Sequence, residues 1–225
     1  MQRSELAKRI DHTLLGPTAS TEAVRRLCAE AVEYGAASAC VNPCHIELVH
    51  DLLKDTPVKS CAVIGFPHGM NTAEIKELEA QKAVAAGADE LDMVINVAAL
   101  KEGDHAAVSE DIRGVCRAAE GADHPVIVKV ILEMALLDEE EKVAGARLSE
   151  AAGAHFVKTS TGFGPGGATL EDVALLRATV SSEIKVKAAG GIRDAATALA
   201  MIEAGADRIG ASRTGAILEG PNGGS

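Results

Sequence analysis

The chain has 225 residues, of which 47% are hydrophobic but only 2% aromatic, with no Trp, one Tyr and three Phe. Its core must be aliphatic, which excludes a sheet that stacks nucleic-acid bases on aromatic faces. The net charge of −11, from 22 basic and 33 acidic side chains, excludes an unassisted nucleic-acid binder, because phosphate backbones demand concentrated positive charge.

The length suits one domain over residues 1–225, with a flexible tail EGPNGGS from about position 219. The start, MQRSELAKRIDHTLL, lacks the apolar stretch of a secretory signal, and no run is long enough to span a membrane. Cys28, Cys40, Cys44, Cys61 and Cys116 are odd in number and irregularly spaced. They read as reduced thiols of a cytoplasmic protein.

In chain order, the first strand candidate is AKRIDHTLL (7–15), the weakest because it carries Lys8, Arg9, Asp11 and His12. An amphipathic helix, TEAVRRLCAEAVEY, leads to ASACVN (37–42) and VKSCAVIGF (58–66). The helix NTAEIKELEAQKAVAA precedes ELDMVINV (90–97), and PVIVKVILE (125–133) precedes the helix DEEEKVAGARLSEAA. AHFVKTS (154–160), IKVKAAG (184–190) and RIGAS (208–212) complete the set. Most candidates are continuously apolar, as parallel strands covered on both faces are. Gly35, Gly87, Gly121, Gly153 and Gly205 each follow a helical segment and precede a strand, the place of a left-handed cap. Asn71 with Glu74, and Asp138 with Glu141, have capping-box spacing. Lys76, Glu77 and Glu79 read as solvated helix residues. One βα unit recurs roughly every 28 residues, and eight such units fill the chain, which predicts an α/β fold of the (β/α)8 barrel type. A doubly wound dinucleotide fold is disfavoured, since no Gly-x-Gly-x-x-Gly loop follows an early strand.

Chemistry in such a barrel sits at the C-terminal ends of the strands. Asp11, Asp92, Lys129, Lys158 and Lys187 lie on separate strand candidates, with Glu133 just beyond Lys129. Lys185 shares a face with Lys187 but comes earlier, toward the solvent end. A lysine attacks a carbonyl only as the neutral amine, and a neighbouring ammonium together with desolvation favours that form. The resulting Schiff base is an electron sink for carbon–carbon cleavage, with Asp92 passing protons. The competing reading is an internal salt-bridge network of these lysines with Asp92 and Glu133. Four buried charges are costly to desolvate for structure alone, so the joint pattern favours catalysis.

Three glycine-rich turns follow the last strands: TSTGFGPGG (159–167), AAGGIRD (188–194) and GASRTG (210–215). Their backbone N–H groups can wrap an anion, helped by a short helix that begins near Ser212. The candidate phosphate ligands are Gly162, Gly190, Gly191, Gly210, Ser212 and Arg213. CVNPCH (40–45) matches no closed zinc pattern, so no metal is expected, and Cys40 either packs in its strand or lines the pocket. His12 is placed either in the pocket or packed behind it.

These pieces resemble the deoxyribose-phosphate aldolase family: DHTLL (11–15), CVNP (40–43), GFPHG (65–69), LDMVIN (91–96), VKVILE (128–133), VKTSTGFGPGGAT (157–169), VKAAGGIR (186–193) and IGAS (209–212). The resemblance implies a class I lyase that reversibly splits 2-deoxy-D-ribose 5-phosphate into D-glyceraldehyde 3-phosphate and acetaldehyde, a step of deoxyribose phosphate catabolism. It implies no cofactor. Lys158 would form the Schiff base, Lys187 would tune it and Asp92 would relay protons. Lys129 would stand beside Asp92, and Asp11, Thr13 and Thr161 would line the polar side of the pocket. The partners implied are a small phosphorylated sugar and acetaldehyde, with no nucleic acid and no membrane; a homodimer or higher homo-oligomer would pack through outer helices. Three departures stand out. Phe163 occupies a place where some members carry a lysine, Ser212-Arg213 stands where many have Ser-Ser, and the tail ends PNGGS without a tyrosine. The remaining rivals are another Schiff-base barrel, such as a transaldolase or keto-sugar phosphate aldolase, and a non-catalytic sugar-phosphate-binding barrel.

Overall fold

A computed structural model describes residues 1–219. Its eight parallel strands are β1 (Ile10–Leu14), β2 (Ser38–Val41), β3 (Lys59–Ile64), β4 (Glu90–Val94), β5 (Ile127–Ile131), β6 (Phe156–Lys158), β7 (Lys185–Ala189) and β8 (Arg208–Ala211). They pair in chain order, and β8 returns to β1 to close the barrel. The helices are α1 (Arg3–Ala7), α2 (Thr21–Tyr34), α3 (Ile46–Leu53), α4 (Ala73–Ala85), α5 (Val97–Lys101), α6 (His105–Glu120), α7 (Glu139–Ala151), α8 (Leu170–Thr179), α9 (Ala195–Glu203) and α10 (Thr214–Glu219). The expected (β/α)8 barrel is present. The tail expectation falls mainly on residues 220–225, outside the described residues.

Strand alternation sorts the side chains into two environments. Ala39, Val41, Ala62, Ile64, Leu91, Met93, Val128, Val130, Val157 and Val186 face the helices in one aliphatic core. Each such Val, Leu or Ile contributes about 1.5–3 kcal/mol on burial. The opposite parity points inward, and the register aligns Asp92 with Lys129, Lys158 with Lys187, and Lys187 with Arg208. At the N-terminal end of the interior, Phe156 carries Lys185 and Arg208 over its ring at 5.7 and 5.6 Å.

Four local expectations are corrected. The segment 7–15 is not all strand: residues 3–7 form α1, where Leu6 and Ala7 are buried and the Glu5 carboxylate accepts the Gln2 N–H at 2.8 Å. Gly121 is right-handed, with φ −76°, because the Asp104-capped α6 runs on to Glu120 and the Gly121 amide still bonds to the Arg117 carbonyl. Asn71 and Glu74 form no capping box; α4 starts one residue later, with Thr72 at the cap. Lys76 is fully buried rather than solvated, since Gly65 leaves room for its stem and Asp111 of α6 pairs its ammonium. The Asp138–Glu141 box is present, with reciprocal bonds of 2.8 and 2.9 Å.

The loop after β3 is fastened to the end of β4 by Gly69. This residue is left-handed, with φ +68°, and a Cβ on it would lie 1.9 Å from the Ile95 carbonyl oxygen. Gly69→Ala is expected to lower the unfolding free energy by about 3 kcal/mol through strain and overlap. Gly103→Ala, at φ +74° with open space around it, should cost only about 1 kcal/mol. Urea titration of both variants measures the difference.

Candidate active site

The β4 strand places Asp92 at the centre of the barrel, and the next three strands, β5, β6 and β7, aim lysines at it. Asp92 Oδ2 accepts from Lys158 Nζ at 2.7 Å and from Lys187 Nζ at 2.6 Å, while Oδ1 accepts from Lys129 Nζ at 2.6 Å. Lys129 also meets Glu90 Oε2 at 2.6 Å, and Lys187 is ion-paired with Asp11. Below them, Arg208 holds Asp11 Oδ1 at 2.6 Å and Glu90 at 3.3 Å, and Ser38 donates to Asp11 at 2.7 Å. Four basic side chains thus face three carboxylates in the barrel interior.

Burial alone would raise the carboxylates and lower the amines, but the partners outweigh it. Asp92 is held well below the usual carboxylate range against its burial by Lys129, Lys158 and Lys187. Asp11 is likewise lowered by Lys187 and Arg208. Lys187 is raised despite burial by Asp11 and Asp92, and Lys129 by Asp92 with further help from Glu90. Both stay ammonium ions at neutral pH.

Above the cluster lies a cavity of about 340 Å³. Its walls are Thr13 to Gly16 at the end of β1, Thr161 to Phe163 after β6, Ala189 to Arg193 at the end of β7, and Gly210 to Ser212 at the end of β8. Lys158 lines this cavity, whereas Lys129 and Lys187 are fully buried beneath it. Thr13, Thr161, Gly162, Gly190, Gly191, Gly210 and Ser212 all stand at the wall. Asp11 does not: it lies buried under the lysines. Cys40 packs with Leu15, Cys61 and Val63 instead of lining the cavity. Arg213 is exposed and away from the wall, and Arg193 occupies it instead. His12 also lies elsewhere, between Glu30 of α2 at 3.0 Å and Thr214 of α10 at 2.8 Å.

Thr161 is positioned by Glu133, whose carboxylate accepts the Thr161 hydroxyl and faces its amide at 3.4 Å. Glu133 does not join the lysines. It is the one described non-glycine residue with a left-handed backbone, φ 56°, a conformation that usually marks a functional constraint. The sequence reading missed Glu90, Arg208 and Arg193. Glu90 precedes Asp92 by two positions on the same strand face, so alternation was a signal for it, whereas Arg208 is brought in by its register with Lys187 across β7 and β8. Arg193 had only its place in the AAGGIRD turn.

Cys40, Cys61 and Asp92 come close enough together to suggest a metal site. The donor set does not suit one. Both Asp92 oxygens are held by ammonium groups, and burial pushes the Cys61 thiol well up, whereas a metal needs thiolate.

Fold and site together define a barrel lyase of the Schiff-base aldolase class. The family model for DeoC/LacD family aldolases matches residues 6–220. The deoxyribose-phosphate aldolase of Caldanaerobacter subterraneus subspecies tengcongensis is 53% identical over 214 residues, covering 95% of this chain and 92% of that protein. That of Clostridium kluyveri is 53% identical over 218 residues, covering 97% and 99%. The tetrameric deoxyribose phosphate aldolase structure from Aeropyrum pernix superimposes with a TM-score of 0.90 at 38% identity, covering 97% of this chain and 91% of that one. The chain belongs to the DeoC/LacD aldolase family.

The lowered Asp11 and Asp92 contribute stability that is complete above the unfolded carboxylate pKa of about 3.9 and is lost as pH falls through their lower folded values. The raised Lys129 and Lys187 contribute fully below about pH 10.4 and lose their share as pH rises through their higher folded values. Arg208→Met should therefore cost about 3 kcal/mol at pH 7, by leaving Asp11 and Glu90 short of a partner. The cost should shrink as pH falls below the unfolded carboxylate value of about 3.9 and vanish only below the lowered folded value of Asp11. Urea midpoints across pH read both effects.

Proposed function

We infer that the chain catalyses the reversible aldol cleavage of 2-deoxy-D-ribose 5-phosphate to D-glyceraldehyde 3-phosphate and acetaldehyde, with Lys158 as the nucleophile. One observation carries the assignment: of the three lysines on Asp92, Lys158 alone reaches the cavity wall. Charge supports it as well. Lys129 and Lys187 are held as cations beneath Lys158. A neutral amine beside such fixed cations is the state that attacks a carbonyl.

The Lys158 amine adds to C1 of the open-chain sugar and expels water, giving an iminium. The C3 hydroxyl proton leaves through water toward Asp92, which passes it on without retaining it, because the Lys129 and Lys187 ammonium groups make that carboxylate a weak base. The C2–C3 bonding pair moves into the iminium, releasing glyceraldehyde 3-phosphate and leaving the enamine of acetaldehyde on Lys158. Protonation at C2 and hydrolysis return the amine and release acetaldehyde. The iminium is itself the electron sink, so the chemistry calls for no cofactor.

The phosphate is placed against the turns of Gly162, Gly190, Gly191 and Gly210 and the Ser212 hydroxyl, with Arg193 supplying positive charge from the same wall. Phe163 takes the neighbouring wall position, 5.4 Å edge-on from Phe66, so charge comes from the β7 turn and not from that side. The cytoplasm and self-association through outer helices complete the reading. In support, all five cysteines are free, and no helix among the described residues is long and apolar enough to cross a membrane.

Borohydride reduction with acetaldehyde, followed by peptide mass mapping, should place the adduct on Lys158. Lys158→Ala should trap nothing, and Lys187→Ala should lower kcat about 100-fold by removing the fixed charge. An adduct on another lysine would overturn the assignment. For the phosphate site, Ser212→Ala is expected to raise KM for the sugar phosphate about tenfold with little change in kcat. Steady-state kinetics should show no such change for unphosphorylated deoxyribose.

A further inference from the structure

One ion pair outside the barrel is buried on both sides and touches none of the reacting groups. Lys76 of α4 is fully buried, and its Nζ donates to Asp111 Oδ2 of α6 at 2.6 Å and to the Val94 carbonyl oxygen at 2.8 Å. Val94 follows Asp92 by two positions on β4 and shares its strand face. The β3–β4 ladder ends with Ile64 opposite Met93. On the β3 side the Val94 carbonyl therefore lies past the last strand partner, although Val94 is still paired with Ile131 of β5, and the lysine serves as its donor.

The same helix holds the end of β3. Glu79, three residues on from Lys76, accepts the Gly65 N–H at 2.7 Å. Gly65 is left-handed, and a Cβ on it would lie 2.8 Å from Lys76 Cε, so the lysine stem fills the place of a side chain. Two side chains of α4 thus close the ends of the strand that carries Asp92 and of its neighbour. Packing alone would be served by methionine at position 76, and a buried ion pair is an expensive way to fill space. The feature an apolar residue could not supply is the N–H donor to Val94.

We propose that Lys76, anchored by Asp111, is a positioning residue for the aldol reaction: it fixes the end of β4 and so sets Asp92 among Lys129, Lys158 and Lys187. This rests on the reading of Lys158 as the Schiff-base lysine. Asp92 receives three amines at 2.6–2.7 Å, and small misplacements of such groups are costly in rate. Lys76 acts on the reaction through the backbone of one strand, about which the amines are arranged.

The test compares wild type with Lys76→Met/Asp111→Leu, which replaces the pair by apolar groups, a change that buried pairs often tolerate without loss of stability. Lys76→Gln is the second variant. Its side chain is one bond shorter and carries no charge, so it cannot hold both Asp111 and the Val94 carbonyl as the lysine does. Tm is measured, and kcat and KM are normalised to active sites counted by borohydride trapping with acetaldehyde. The expected result is a folded protein whose kcat per trapped site is about tenfold lower or worse, with KM within about twofold of wild type. Wild-type kcat per trapped site in whichever variant folds would reduce Lys76 to a structural role and overturn the proposal. Failure of the wild type to trap an adduct on Lys158 is a separate outcome, which overturns the Schiff-base reading on which the proposal rests.

Discussion

The carboxylate of Asp92 is the constraint on which the rest of the interior depends. It gathers three ammonium groups from β5, β6 and β7, none of which could be buried alone without a heavy desolvation cost. Asp11, Glu90 and Arg208 extend the same logic one layer down, so that each charge is met by an opposite one. Closure of the barrel is what makes this geometry available. An open sheet would leave β1 and β8 apart, and Asp11 could not reach both Lys187 and Arg208.

The molecule divides its labour between two cores. Stability comes from the aliphatic layer between strands and helices, where Val, Ile, Leu and Ala pack with no need of aromatic rings. The barrel interior is instead given over to charge, sealed at its N-terminal end by Phe156 and opening at the other end through Lys158. Because the apolar layer carries the fold, the interior can hold an electrically strained arrangement.

The cavity wall is similarly divided. The half built by the turns after β6, β7 and β8 is rich in glycine and exposes backbone N–H groups, as an anion site requires. On the other side, Glu133 sits in a left-handed conformation and braces Thr161. Phe163 and Phe66, two of the chain's three phenylalanines, meet edge to face beside it.

Much of this was legible from order along the chain. The recurring βα unit, the continuous apolar strands and the lysines at strand ends are local patterns, because period and polarity are set residue by residue. Asp92, Lys129, Lys158, Lys187 and the three glycine turns could therefore be named without a structure. Where local pattern misled, distant packing was the cause. Lys76 looks solvated on its own helix and is buried only because Gly65 makes room and Asp111 arrives from α6. Arg193 and Arg213 flank equally plausible turns, and the course of the backbone alone puts the first on the wall. The sequence by itself determined the barrel, its aliphatic core and the kinds of groups at its mouth. The tertiary structure decided which lysine faces the cavity and which two stay beneath it, because depth inside a closed barrel depends on tilt and register between strands, and no single strand contains that information.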